Sequence, residues 1–385
     1  MKKKLNKIAI FISDEGFGHS VRQKTIILEL LKYNPKIKIT IFNSSRLLFL
    51  KEYFGNKLNY IHYPNTLSTI KKKNGELDIN KTKKILLNWP QKSNKSINQL
   101  LKNNIGNFNF DIIISDLVPE AFMLGKILKI PSYGIARFSW DWFFLKTKLR
   151  FLKVNKTIIE NLKLSKKIFF STFIKGKILS YKYLNFEEIN LIFNKNIFKE
   201  GTTEFFKSNN IYKCLIMDNG TKTNSNLIQE TIKYLKDIEH IDFYISVDNF
   251  SEEIKNYVAQ QKNLIPIQGL KNMHRLISYV DFLVARGGFN TITELLLFKK
   301  PALLIDEKNN PEIKANLDQM KKLKLCSIMK QSSFKKNFPN RINFFLKNDI
   351  KKIKNNLRLK KIKANGANQI IKKILNDYEK NKFNC

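Results

Sequence analysis

Ile8-Ala-Ile-Phe-Ile12-Ser-Asp-Glu-Gly-Phe-Gly-His-Ser20 opens on five apolar residues, breaks at a glycine-rich turn and passes into a helical pattern that runs to Tyr33. A short, wholly apolar run ended by a turn is the pattern of a strand buried on both faces of a parallel sheet. Strand, turn and helix together make the first step of a βαβ unit. Working outward, apolar runs recur at Ile37–Phe42, Asn59–His62, Asp111–Ser115 and Ser132–Ala136, and again at Cys214–Met217, Phe243–Val247, Leu264–Ile267, Phe282–Ala285 and Ala302–Ile305. Segments able to cross over as helices lie between them, Ser20–Tyr33 and Glu120–Lys129 among them. The fold class is therefore α/β, with two doubly wound, Rossmann-like parallel sheets.

The chain has 385 residues, about twice what one α/β core takes, which agrees with two domains. The expected boundaries are 1–165 for the first, 166–206 for a Lys- and Asn-rich crossing, 207–330 for the second, and 331–385 for a basic helical end. Ile70–Lys84 reads as a long polar loop. With 43% hydrophobic residues and 30 Phe, the chain is too apolar for a disordered protein.

Seventy Lys and Arg against 32 Asp and Glu leave a formal charge of +38. The abundance of Asn, Ile, Lys and Phe, residues of A+T-rich codons, accounts for much of this excess without a partner. No zinc finger, RNA-recognition aromatic motif or concentrated basic helix is present, so nucleic acid is not expected as a partner. Cys214, Cys326 and Cys385 stand far apart with no CxxC pair, which implies neither zinc nor a disulfide framework and fits the cytoplasm. After Met1-Lys-Lys-Lys the apolar run is too short for a signal peptide, and no stretch reaches the roughly 18 apolar residues of a membrane span.

Ligands of open parallel sheets bind beyond the carboxyl ends of the strands. In the first such loop Gly16 and Gly18 permit tight turns at a helix mouth, while His19, with Asp14 and Glu15 within a turn, can act as a general base or simply cap the helix. A dinucleotide fingerprint fails: Val21 replaces the third glycine, and Asn43 and Ser44 stand where an acidic residue would close the second strand. No nicotinamide cofactor is expected. In the second loop, Ala285-Arg-Gly-Gly-Phe-Asn-Thr-Ile-Thr-Glu294, Gly287 and Gly288 let a phosphate approach a helix N-terminus. Asn290 or Thr291 can cap that helix, Arg286 adds charge, and Glu294 lies one turn inside, where it can meet ribose hydroxyls or water.

Arg286-Gly-Gly-Phe-Asn-Thr-Ile-Thr-Glu294, then Lys300-Pro-Ala-Leu-Leu-Ile305, then Asn310-Pro-Glu-Ile-Lys-Ala-Asn316 resembles the donor-binding segment of glycosyltransferase family 28, the MurG-like group with the GT-B fold. Gly16-Phe-Gly-His-Ser-Val-Arg22, Ser115-Asp-Leu-Val-Pro-Glu-Ala121 and Arg137-Phe-Ser-Trp-Asp-Trp142 resemble the matching loops of a branch that includes the glycosyltransferase-like domain of plant arabinokinase. The resemblance implies two Rossmann-like domains facing across a cleft, the first for an acceptor and the second for a nucleotide sugar. It assigns Glu294 to the ribose and Gly287, Gly288 and Thr291 to the diphosphate. Asn219, Gly220 and Thr221 fall at the turn facing the donor, and Glu312 and Asn316 at the nucleotide or donor sugar, Glu312 standing where many members have glutamine. His19 becomes the base, with Glu15 and Asp14 as further candidates; Glu15 occupies a place where the branch often has histidine. Gly16, Gly18, Asp116, Arg137 and Asp141 are expected around the acceptor.

The implied reaction moves a sugar from a nucleoside-diphosphate sugar, expected to be UDP-linked, to a hydroxyl of a glycan, a lipid-linked compound or a small molecule. The nucleotide sugar is substrate, so no cofactor is expected. No DxD pair follows any strand, so no metal is expected either. The aromatic and basic run from Arg137 through Lys153 reads as a core helix with lysines in water or, less simply, as a rest on the anionic inner face of a membrane. Two rival readings share the architecture, a nucleotide-sugar epimerase or hydrolase and a non-catalytic sugar-nucleotide binder.

Overall fold

The computed structural model describes residues 5–64, 67–72, 77–103, 109–149, 152–171, 185–194, 211–217, 222–248, 250–268, 273–307, 310–330 and 337–380. The chain divides into two units, one of Met1–Ile70, Asp78–Asn194 and Lys363–Cys385, the other of Lys71–Leu77 and Lys195–Ile362.

The first unit runs β1 (Lys7–Ile12), α1 (Phe17–Tyr33), β2 (Lys38–Asn43), α2 (Leu47–Phe54), β3 (Asn59–His62), α3 (Ile79–Lys102), β4 (Ile112–Asp116), α4 (Pro119–Ile127), β5 (Ser132–Ala136), α5 (Trp140–Leu145), α6 (Leu152–Lys163), β6 (Lys167–Ser171) and β7 (Phe186–Ile189). Its sheet has the order β3-β2-β1-β4-β5-β6-β7, with every pair parallel. Successive side chains of a strand point to opposite faces. Ile8, Ile10 and Ile12 accordingly pack with Ile26, Ile27 and Leu30 of α1, whereas Ala9 and Phe11 pack with Phe42, Tyr63, Ile97 and Leu124 on the other side.

The second unit runs β8 (Tyr212–Ile216), α7 (Lys222–Leu235), β9 (Ile241–Ser246), α8 (Glu252–Ala259), β10 (Leu264–Ile267), α9 (Met273–Tyr279), β11 (Phe282–Arg286), α10 (Phe289–Phe298), β12 (Ala302–Asp306), α11 (Pro311–Lys322), β13 (Ser327–Lys330), α12 (Phe338–Asn348) and α13 (Ile350–Leu359). Its parallel sheet has the order β10-β9-β8-β11-β12-β13. The last helix, α14 (Gly366–Lys380), belongs to the first unit, where Ile370, Ile371 and Ile374 complete the core under α1.

Three expectations need correction. Residues 166–206 are not only a crossing, since β6 and β7 extend the first sheet. The segment after residue 330 is not one tail: α12 and α13 stay with the second unit while α14 returns to the first. Gly366 permits that return, because a Cβ there would lie 2.1 Å from the Asn190 carbonyl oxygen. Finally, the polar loop ends at Asp78, whose side chain accepts from the Lys81 amide (2.9 Å) and caps α3. Thr82, Leu86, Trp89, Ser93, Ile97 and Leu100 then form its buried stripe, so spacing rather than overall polarity decides the helix.

Candidate active site

In the first unit β1 lies beside β4 in a register that sets Ile12 against Asp116. This brings the last residue of β4 under the first turn of α1. His19, Arg22 and Gln23 are spaced to share one face of that helix, and all three reach Asp116. His19 Nδ1 lies 2.9 Å from Asp116 Oδ1, Arg22 Nε donates to Oδ2 (3.1 Å) with its second nitrogen against Oδ1, and Gln23 Nε2 donates to Oδ2 (2.9 Å). Asp116 is wholly buried. Burial pushes its carboxyl up, but the charges of Arg22 and His19 and their hydrogen bonds outweigh that and hold it well below the usual carboxylate range. An ionised carboxylate only accepts, so Nδ1 of His19 carries the proton, and Nε2 is the nitrogen that can take another. Arg22 also lies 3.1 Å from Nδ1, but the carboxylate between them is the better acceptor for both.

The neighbouring acids do other work. Asp14 Oδ1 accepts from Asn43 Nδ2 (2.7 Å) and the amides of Ser44 (3.1 Å) and Ser45 (2.9 Å), and Oδ2 accepts from the Ser44 hydroxyl (2.7 Å). It ties the loop after β1 to the one after β2. Glu15 holds Thr69 by its amide (3.1 Å) and its hydroxyl. Gly16 starts α1 at φ 149°, ψ 165°, a conformation essentially confined to glycine, while Gly18 is within the first turn. Arg137 and Asp141 are buried. Around them Phe138, Trp140, Trp142, Phe143 and Phe144 pack on one another, and Trp140 Nε1 donates to the Leu117 carbonyl (3.1 Å). These aromatic rings are core.

In the second unit the loop after β11 leads into α10. Gly288 donates its amide to the Arg286 carbonyl (2.8 Å), and Ile292 donates to the Gly288 carbonyl (2.9 Å). The turn therefore uses the Gly288 amide itself. The amides that follow, in the turn bearing Asn290 and Thr291, are those an α-helix leaves without an intrahelical acceptor and aims at an anion. The two glycines differ. A Cβ on Gly287 would lie 2.7 Å from Leu317 Cδ2, whereas a Cβ on Gly288 would meet nothing within 4 Å. Gly287 is held to glycine by the packing of α11, and only Gly288 borders open space. Asn316, also expected at the donor, is buried and donates to the Gly287 carbonyl (3.0 Å). It fixes the loop from behind.

Arg286 pairs with Glu307, just beyond β12, which also receives Asn310 Nδ2 (3.3 Å) and has Lys71 Nζ at 3.8 Å. Glu294 Oε1 lies 3.2 Å from Nε2 of His274, on α9. Glu312 sits half-buried in the first turn of α11, capped by Asn310. Asn219, Gly220 and Thr221 lie outside the described residues. Among the described residues no three His, Cys, Asp or Glu side chains converge as a metal site.

Sequence reading missed the partners of its own candidates: Arg22 and Gln23 for Asp116, His274 for Glu294, and Glu307 for Arg286. Helical spacing from His19 was the available signal for the first two. The others depend on the packing of α9 beside α10 and the pairing of β11 with β12, which no local pattern shows.

Two parallel-sheet units with glycine turns at strand ends define the GT-B class, and the comparisons agree. MurG of Acinetobacter baumannii superposes with a TM-score of 0.63 at 12% identity, over 97% of this chain and 100% of that one. UGT2 of Phytolacca americana, in complex with UDP-2-fluoro-glucose and pterostilbene, does so with a TM-score of 0.62 at 12% identity, over 92% and 93%. In sequence, residues 220–374 match the glycosyltransferase family 28 C-terminal domain. A stretch of 134 residues is 25% identical to the UDP-N-acetylglucosamine–N-acetylmuramyl-(pentapeptide) pyrophosphoryl-undecaprenol N-acetylglucosamine transferase of Thermosipho melanesiensis, covering 34% of this chain and 39% of that relative. The fold is thus the GT-B fold, and its second part, residues 220–374, is similar in sequence to the glycosyltransferase family 28 C-terminal domain.

Proposed function

We propose that the protein transfers a sugar from a UDP-linked donor to an acceptor hydroxyl, with no resident cofactor and without metal. The observation that carries this reading is the buried Asp116, which orients His19 from below at the carboxyl edge of the first sheet. His19 Nε2 takes the proton of the acceptor hydroxyl as its oxygen bonds to the anomeric carbon. The bond from that carbon to the diphosphate breaks, and its electron pair leaves on the phosphate oxygen. First-turn amides of α10 and Arg286 receive the developing charge, and Glu294 accepts from the ribose. The UDP-2-fluoro-glucose complex of the Phytolacca neighbour and the UDP-N-acetylglucosamine in the name of the Thermosipho relative support UDP as the nucleotide.

The acceptor is read as a glycan, lipid-linked compound or small molecule, and the location as cytoplasmic. No described helix is long and apolar enough to cross a membrane. Peripheral contact with anionic lipid would fall to the exposed Phe17, Leu48 and Tyr53, beside Lys24 and Arg46, whose charges lie over these rings.

Thermal shift with nucleotide sugars tests the reading, since a ligand of the folded state raises its melting temperature. Wild type should respond to a UDP-sugar and Glu294→Ala should not; an equal response removes the donor assignment. His19→Ala should keep the shift and lose turnover, and full activity would make His19 structural. Consumption of the nucleotide sugar without acceptor would favour the epimerase or hydrolase instead.

A further inference from the structure

His274 was not among the residues that the sequence singled out, yet it is placed with care. It lies on α9, its ring is nearly parallel to that of Phe298 (centroids 6.0 Å, 16°), and its Nε2 meets Glu294 Oε1 at 3.2 Å. Phe298 stands four residues after Glu294, so α10 carries both the partner of the imidazole nitrogen and the surface on which the ring rests. The two side chains are mostly shielded, His274 at 18% and Glu294 at 14% exposure. A carboxylate can only accept, so Nε2 is the donor.

A glutamate side chain in a helix has a loosely determined terminal torsion. A donor fixed on one oxygen removes that freedom and presents the other oxygen in a set direction. We propose that His274 is the positioning residue for nucleoside recognition: by holding Oε1 it aims Glu294 at the ribose hydroxyls and so makes the site select ribose over deoxyribose. This rests on the reading of Glu294 as the ribose acceptor. The diphosphate, held by α10 amides, is outside its reach.

The test is calorimetric titration of the full chain with UDP, 2′-deoxy-UDP and inorganic pyrophosphate. A hydrogen bond to a charged group is worth about tenfold or more in affinity, so wild type should prefer UDP over its deoxy form by about that factor. His274→Phe keeps a ring for Phe298 but has no donor. It should lose most of the preference while binding pyrophosphate as wild type does, and His274→Gln, which restores a donor, should recover part of it. His274→Phe with the wild-type preference would overturn the inference and leave the donor site standing. Glu294→Ala with that preference would overturn the Glu294 assignment and this inference with it. A loss of pyrophosphate binding in His274→Phe would show a general packing role, also against the proposal.

Discussion

The loops after β1 and β11 look alike in sequence, each a strand, a glycine pair and a helix, but they are built for different tasks. In the first, side chains converge: a buried carboxylate collects His19, Arg22 and Gln23, and Gly16 is glycine because of its backbone angles. In the second, the backbone sets the turn at the start of α10: Gly287 is glycine because Leu317 leaves no room, and Asn316 braces the turn. A glycine before a helix is therefore no single signal. Angle, packing and open space each select it, and only open space is a vacancy that a ligand can use.

The largest effect should come from the first loop. Asp116→Asn removes the charge that fixes the His19 tautomer, and turnover should drop by about 10²–10⁴-fold with UDP binding kept. Asp116→Ala should also cost about 3–5 kcal/mol of stability, because Arg22 is left buried without its counter-charge. The sign of the pH effect follows from the depressed carboxyl. Its stabilisation is fully present above the ordinary carboxylate range and is lost as pH falls through the lower value of the folded state. Acid titrations of wild type and Asp116→Asn should converge at low pH, and parallel curves would deny the buried pair.

The second loop should separate its two glycines. Gly287→Ala overpacks Leu317, and a loss of about 1–3 kcal/mol is expected in denaturant unfolding. Gly288→Ala has room and an ordinary φ of −66°, so stability should stay within about 0.5 kcal/mol while UDP affinity falls. Equal stability losses in the two variants would refute the division between packing and open space. The smallest effect concerns Arg286. Glu307 stands as an internal anion on it, and Glu307→Gln should raise UDP affinity a few-fold, more at low salt. Weaker binding would mean that Glu307 holds Arg286 in place for the phosphate rather than competing with it.

Most of the fold was legible because strands buried on both faces of a parallel sheet are continuous apolar runs; Ile8–Ile12, Ser132–Ala136 and Phe282–Ala285 are such runs and lie in β1, β5 and β11. The strands that escaped are short edge strands or lie in a polar stretch of sequence. β7 is Phe186-Glu-Glu-Ile189 at a sheet edge, β13 is another edge, and β6 lies in a stretch rich in lysine and asparagine. The site was legible as positions and not as pairings. His19 stood out by its loop, but its anchor lies 97 residues away. Asp116 stood out as a strand-end acid, but that both its oxygens are engaged by α1 was not legible. Composition also misled: lysine in the Asp78 region hid a helix whose buried stripe is intact.

The central claim is that the start of α10 receives the diphosphate of an activated sugar. A crystal structure of the protein with UDP bound tests it most directly. Diphosphate oxygens at hydrogen-bonding distance, about 3 Å, from amides of the turn bearing Asn290 and Thr291, with ribose hydroxyls on Glu294, are the predicted result. UDP bound elsewhere, with that turn empty, would contradict it.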